Sequence, residues 1–201
     1  MSDAEIREPV QKRSIETKDK IIEAGFELIC NDGYYNTNTA KIAKKAGVST
    51  GIVYQYFKDK RDIFLVGLER YADHIFYPML NISNINFEKK DLAKLIKDMI
   101  NKFISNHKLS AIAHEEITAM THSDKDVAFY FYKREMEMTN KFATILVDNG
   151  FTISNLNEKV HIVIGLIDNL CHEIVYHKHK ELDYTVMTDI VINEIENILT
   201  K

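Results

Sequence analysis

Residues 39–56 read TAKIAKKAGVSTGIVYQY, and the architecture of the whole chain follows from that stretch. The apolar spacing predicts a short helix over 39–46 and a second over 50–56, joined by Gly47, Val48 and Ser49. Ile42 and Ala43 face inward on the first helix, and Ala46 is small where the two helices must approach. Gly47 permits a sharp turn, Val48 anchors that turn to a core, and Ser49 is suited to cap the second helix. Val53 then packs the second helix down. Tight crossing, an unusual turn angle and one exposed face are the requirements of a helix-turn-helix. Its exposed face would carry Thr50, Gly51, Ile52 and Gln55, with Tyr54 or Tyr56.

A helix of that width fits the major groove of duplex DNA. Gly51 would let the backbone come close to it. Helix starts near Thr37, Thr39, Ser49 and Lys60 offer main-chain N–H groups to phosphates. Lys60 and its neighbours would add affinity by counterion release. Gln55 is the best base reader, because its amide addresses adenine bidentately. The hydroxyls of Tyr54 and Tyr56 can donate to phosphate; half-buried packing is the alternative for each ring, and for Tyr56 it explains the residue equally well. Ile52 either meets a thymine methyl or packs on the first helix, and Phe57 reads as core.

The charge distribution agrees locally, not globally. The chain of 201 residues carries a formal charge of −4. Within 41–61, six cations (Lys41, Lys44, Lys45, Lys58, Lys60, Arg61) stand against one anion, Asp59, whereas 62–201 has a net charge of −6. A short basic block thus precedes a long acidic remainder. Such a block is usually only a solvated face; its position on the helix pair is what gives it meaning.

Composition narrows the class further. Apolar residues make up 45% and charged residues 28%, enough for a real core and too much for wholesale disorder. Gly numbers 7 and Pro 2, too few for sandwiches, barrels or Gly-rich nucleotide loops. The two cysteines, Cys30 and Cys171, form neither a disulfide framework nor a zinc pattern and suit a reducing cytoplasm. No apolar stretch approaches the roughly 20 residues of a membrane span, and the acidic N-terminus does not read as a secretion signal.

The expectation is therefore all-α, with about nine helices. One runs through Ile15, Ile22, Gly25, Phe26 and Ile29 and ends at Gly33. Asp59 caps a helix reaching about Pro78, with Phe64, Leu68, Tyr71 and Ile75 on one side. Later helices are expected at 92–106, 109–121, 124–147, 155–179 and 184–200, with a polar loop at 81–86 and a break at Asn149-Gly150.

Gly33-Tyr34-Tyr35-Asn36-Thr37, Ile42-Ala43, Ala46-Gly47-Val48-Ser49, Gly51, Tyr54, Tyr56-Phe57, Lys60 and Phe64 together resemble the TetR family of bacterial transcriptional regulators. The resemblance covers about 15–64 without a gap; beyond that, only helix number and length agree. Thr39 and Ala40 stand where an aliphatic and a polar residue are usual, and Gln55 where His is common. The resemblance implies a DNA-binding domain over 14–60, its helix-turn-helix about 38–57, and a ligand-binding and dimerisation domain over 61–201. It implies that Thr37 and Lys60 touch phosphate, that Thr50, Ile52 and Gln55 meet base edges, and that Tyr54 and Tyr56 meet the backbone. It further implies a homodimer on a near-palindromic DNA operator, repression, and release by a small apolar or amphipathic effector.

For the larger remainder, the last two helices carry apolar stripes broad enough to pair with a second copy. Gly165 would allow close approach, either of that copy or of an intrachain neighbour. Candidate effector contacts are Phe76, Met99, Phe103, Met120, Phe129, Tyr132 and Asn169, with Met136 and Phe142 beside them; plain core explains most of them as well. His161, Asp168, His172 and His179 share a helix face with Glu173 and His177 nearby. Asp168 and His172 have ligand spacing, but a solvated or interface face accounts for them, and neither metal nor cofactor is expected. Two rivals remain: control by a protein partner, and a helical di-metal enzyme. The second needs paired Glu-x-x-His motifs that the sequence lacks.

Overall fold

The computed structural model describes residues 11–80, 86–107 and 109–200, side chains within 72–80 excepted. The described residues form nine α-helices and no strand. The helices are α1 (Lys12–Asp32), α2 (Thr39–Ala46), α3 (Thr50–Tyr56), α4 (Lys60–Leu80), α5 (Leu92–Asn106), α6 (Ala111–Ser123), α7 (Lys125–Asp148), α8 (Leu156–Tyr176) and α9 (Tyr184–Thr200). A single 3-10 turn, Lys89–Asp91, leads into α5. None of the described helices is long and apolar enough to cross a membrane.

The termini have local causes. The Ser110 hydroxyl accepts the Ala113 N–H at 3.1 Å, so α6 starts after it and not at 109. Asp59 Oδ1 accepts the N–H groups of Arg61 and Asp62 at 2.7 and 3.1 Å and starts α4 as expected. The Lys89–Asp91 turn, not foreseen, is a reciprocal cap in which Glu88 N–H donates to the Asp91 carboxylate at 3.2 Å. Helix α8 stops at Tyr176, three residues short of its expected end. Ile15 is 44% exposed and so does not extend the buried stripe of α1.

Contacts divide the chain into two compact units, and not at 60/61. The first holds the chain up to Ala72 together with Lys108–Ala128; the second holds Asp73–His107 and Phe129–Lys201. Helix α4 therefore begins in one unit and finishes in the other. Helix α6, expected among the C-terminal helices, packs on α1 in the first unit.

The first unit is built on Ile21 and Ile22 from α1, Ile42 and Ala43 from α2, Val53 and Phe57 from and after α3, and Ile63 from α4. Burying each large aliphatic contributes roughly 1.5–3 kcal/mol, which holds two helices of only 8 and 7 residues. In the second unit α5 buries Leu92, Ile96, Met99, Ile100 and Phe103 and meets both α8 and α9. Val163, Ile167 and Leu170 of α8 and Ile195 and Leu199 of α9 complete that core.

Candidate nucleic-acid interface

Helix α2 starts at Asn38, whose side-chain oxygen accepts the Lys41 N–H at 2.9 Å. Thr39 follows, half-buried at the first helical position. Asn38 was not among the residues singled out from the sequence, although Asn is a leading N-cap type. Gly47 ends α2 in the left-handed conformation, φ 68° and ψ 32°. The Val48 N–H then returns to the Ala43 carbonyl at 3.0 Å, closing the turn. Ser49 accepts the Ile52 N–H at 3.3 Å and opens α3.

The turn leaves α3 with two distinct sides. Val53 is fully buried, and Ile52 and Tyr56 are half-buried against the same core. Thr50, Gly51, Tyr54 and Gln55 stand exposed. Packing is thus the observed role of Ile52 and Tyr56 inside the unit, while Tyr54, at 51% exposure, presents its ring outward. A Cβ added at Gly51 would meet only Ser49 Oγ, at 3.8 Å. Among the described residues nothing therefore requires glycine there.

Beside α3 lies an open cleft of about 500 Å³. Arg13, Ser14 and Thr17 of α1 form one wall; Val48, Ser49, Ile52, Gln55 and Tyr56 form the other. A guanidinium, several hydroxyls and an amide thus share one concave surface, a donor set suited to phosphate oxygens and base edges.

Two residues expected at phosphates are turned inward. Thr37 is 2% exposed, and its hydroxyl donates to the Gly33 carbonyl at 2.9 Å. As placed, this hydroxyl is spent within the loop and not at the phosphate that the resemblance implies. Lys60 donates from Nζ to the carbonyls of Tyr34 and Thr37 at 2.7 and 2.9 Å, and burial lowers its pKa. Its observed partners are the loop between α1 and α2.

Much of the basic block is likewise spent internally. Lys41 Nζ donates to the Asn36 carbonyl at 2.8 Å, and Lys45 pairs with Glu27 at 2.8 Å. Arg61 grips Asp124 through Nε and Nη2 at 2.9 and 2.7 Å and reaches Asp126 at 2.8 Å. Hydrogen bonding to Asp124 raises the guanidinium's pKa and holds the Asp124 carboxyl below its usual range. Lys44 and Lys58 remain exposed.

The residues expected to line an effector site do not converge. Met99 and Phe103 are core residues of the second unit, 4% and 2% exposed. Met120 is buried on α6 in the first unit. Phe129 and Tyr132 are 66% and 62% exposed, and Asn169 is exposed too, so these three line no interior space as placed. The buried stripe of α7 runs instead through Met138, Phe142, Ile145 and Leu146. The Phe76 side chain lies outside the described residues.

The histidine face is also not simply solvated. His172 Nδ1 lies 3.1 Å from the Asp168 carboxylate, and its ring meets Phe103, His107 and Tyr176. His161 Nδ1 lies 3.1 Å from the Thr139 hydroxyl. His179 falls beyond the end of α8, its N–H donating to the Tyr184 hydroxyl at 2.6 Å. Cys30 and Cys171 are free, and burial pushes both thiols up to about 12.

Comparison with known proteins bears on the family of this helix-turn-helix segment and on the fold. Residues 21–66 match the family described as bacterial regulatory proteins, tetR family. The fatty acid metabolism regulator protein of Bacillus subtilis is 34% identical over 100 residues, 49% of this chain and 51% of that protein. The chain thus spans about half the length of that curated relative. Among solved structures, a TetR-family protein of Mesorhizobium loti superposes with a TM-score of 0.72 at 20% identity, over 94% of this chain and 98% of the other. A protein of Saccharomonospora viridis, solved in complex with choline, has a TM-score of 0.72 at 16% identity, over 93% and 99%. These two likenesses extend the fold to the C-terminal helices. Residues 21–66 thus carry a segment of the family described as bacterial regulatory proteins, tetR family, and the all-helical fold is that of TetR-family structures.

Proposed function

We propose that this chain is a DNA-binding transcriptional regulator that works as a homodimer on a near-palindromic operator, represses by occupancy, and lets go when a small apolar or amphipathic effector binds. The observation that carries the DNA half is the two-sidedness of α3: Val53 is sunk in the core while Thr50, Gly51, Tyr54 and Gln55 are displayed. Gln55 reads a base, Tyr54 reaches the phosphate backbone, and Gly51 admits close approach.

The dimer half is supported by the second unit. Ile162 on α8 and Val186 and Ile190 on α9 are 55%, 53% and 55% exposed. A Cβ added at Gly165 would meet no described atom within 4 Å, so an intrachain contact does not explain that glycine. A second copy of α8 and α9 would cover these residues as a four-helix bundle. Two α3 helices then enter successive major grooves, about 34 Å apart.

Release follows from linkage. An effector that favours one tilt of α4 changes the spacing of the two α3 helices, and effector and DNA weaken each other by equal factors. The bound choline of the Saccharomonospora viridis protein supports an effector of small amphipathic type. The test has two arms. Sequencing of duplexes retained from a random pool should return an inverted repeat; thermal denaturation with added small amphiphiles should show a rise in midpoint for a true effector. A pool that stays random sinks the DNA reading, and an effector that leaves DNA affinity unchanged sinks the switch.

A further inference from the structure

We infer that Glu116, on α6, is a positioning residue of the DNA-reading unit: its carboxylate, seated on the main chain of the loop between α1 and α2, sets the angle at which α2 and α3 are presented. The inference rests on the DNA-reading proposal above, but its first observation does not depend on DNA.

The loop Gly33–Thr37 is short, and it is the only covalent lead from α1 into α2. Its polar groups are sorted by sign. The N–H groups of Tyr34 and Tyr35 both donate to Glu116 Oε2, the second at 3.3 Å. The carbonyls of Tyr34 and Thr37 both accept from Lys60 Nζ. An anion from α6 thus holds the donors and a cation from α4 holds the acceptors. Charge-assisted bonds of this kind are roughly twice as strong as neutral ones.

Space has been cleared for this contact. Gly33 has φ 88°, and a Cβ there would stand 2.8 Å from both Glu116 carboxylate oxygens and 2.9 Å from Ile112 Cγ2. A glycine is what lets α6 close down. Helix α6 is tied at its ends as well. The Ser110 N–H donates to the Cys30 carbonyl at 2.9 Å just before it, and Asp124 is gripped by Arg61 just after it. A displacement of α6 must therefore carry the loop along or break these bonds, and α2 follows the loop.

The experiment uses the full chain, as Glu116→Ala and Glu116→Gln, with two readouts. The first is amide hydrogen exchange at Tyr34 and Tyr35. The second is affinity for a duplex retained from the random pool, measured across salt concentrations. In Glu116→Ala the two amides should exchange faster while those of α3 and α8 do not, and affinity should fall about 3- to 30-fold with an unchanged salt slope. Glu116→Gln keeps an oxygen that accepts both N–H groups, so it should restore amide protection and most of the affinity. Unchanged protection or unchanged affinity in Glu116→Ala overturns the inference. If Glu116→Ala does not fold, Glu116→Gln decides: loss of protection at Tyr34 and Tyr35 there overturns it, and retained protection with retained affinity upholds it. Should the parent chain retain no duplex, the DNA reading is what fails, and the amide measurement alone judges the hold of Glu116 on the loop.

Discussion

The Lys60 ammonium nitrogen lies 2.7 Å from the carbonyl oxygen of Tyr34 and 4.2 Å from the centre of that same residue's ring. A lysine that the sequence assigns to the DNA backbone thus binds its own protein twice over. It satisfies loop carbonyls and covers an aromatic face.

Lys60→Met distinguishes the two roles. Leaving two partly buried carbonyls without their donor should cost about 1–3 kcal/mol of stability. DNA affinity should fall with no change in its salt dependence, because no counterion-releasing contact is lost. Removal of a phosphate contact would instead flatten the slope of log affinity against log salt by about 0.9. Titrations at several salt concentrations read this directly.

Gly51 separates stability from function. Its added Cβ finds open space, so Gly51→Ala should raise stability by about 0.5–1 kcal/mol through helix propensity alone. If Gly51 lies against DNA as proposed, the same methyl should weaken DNA binding. Thermal denaturation and a duplex titration on one sample check both halves. A variant that is more stable and binds equally well would remove Gly51 from the interface.

Asp124 gives a pH dependence with a definite sign. Its carboxyl is held below the ordinary value by the hydrogen bond from Arg61. A depressed folded-state pKa means that the ion pair contributes stability above the unfolded value of about 3.9. That contribution is lost as pH falls through the folded value. Asp124→Asn keeps the start of α7, where this oxygen accepts the Asp126 N–H at 3.0 Å, but discards the charge. It should cost about 0.5–1 kcal/mol at neutral pH, after allowance for solvent screening of a partly exposed pair. The deficit relative to the parent should close on acidification below pH 4. Denaturant midpoints across pH measure it.

Ile190→Glu tests the pairing surface. A charge placed on an apolar face that a second copy would cover should shift a dimer to monomer in sedimentation, with far-UV helicity intact. Persistence of the dimer would move the interface elsewhere.

The helix pair was legible because local chemistry settles it. Ser49 caps and Gly47 takes the left-handed turn without help from distant chain, and the spacing of Val53 marks the face of α3 that packs on α1, α2 and the start of α4. The loop contacts of Thr37 and Lys60 were not legible, because only folding brings the Gly33, Tyr34 and Thr37 carbonyls to their polar atoms. Glu116 was invisible for the same reason: its partners lie 82 and 81 residues away and are main-chain N–H groups, which leave no mark in sequence. Helix α6 shows an apolar stripe of Ala113, Ile117 and Met120, but periodicity does not say which unit it serves. Phe129 and Tyr132 were drawn toward an interior by residue type, whereas the register of α7 turns them out.

The central claim, that α3 reads DNA in two symmetric copies, is tested most directly by repeating the random-duplex selection with Gln55→Ala beside the parent chain. The account predicts an inverted repeat for the parent. In the variant, discrimination should relax by about 1–3 kcal/mol at one base pair, mirrored in both half-sites. An unenriched pool, or a parent and variant that select identical sequences with equal stringency, would contradict it.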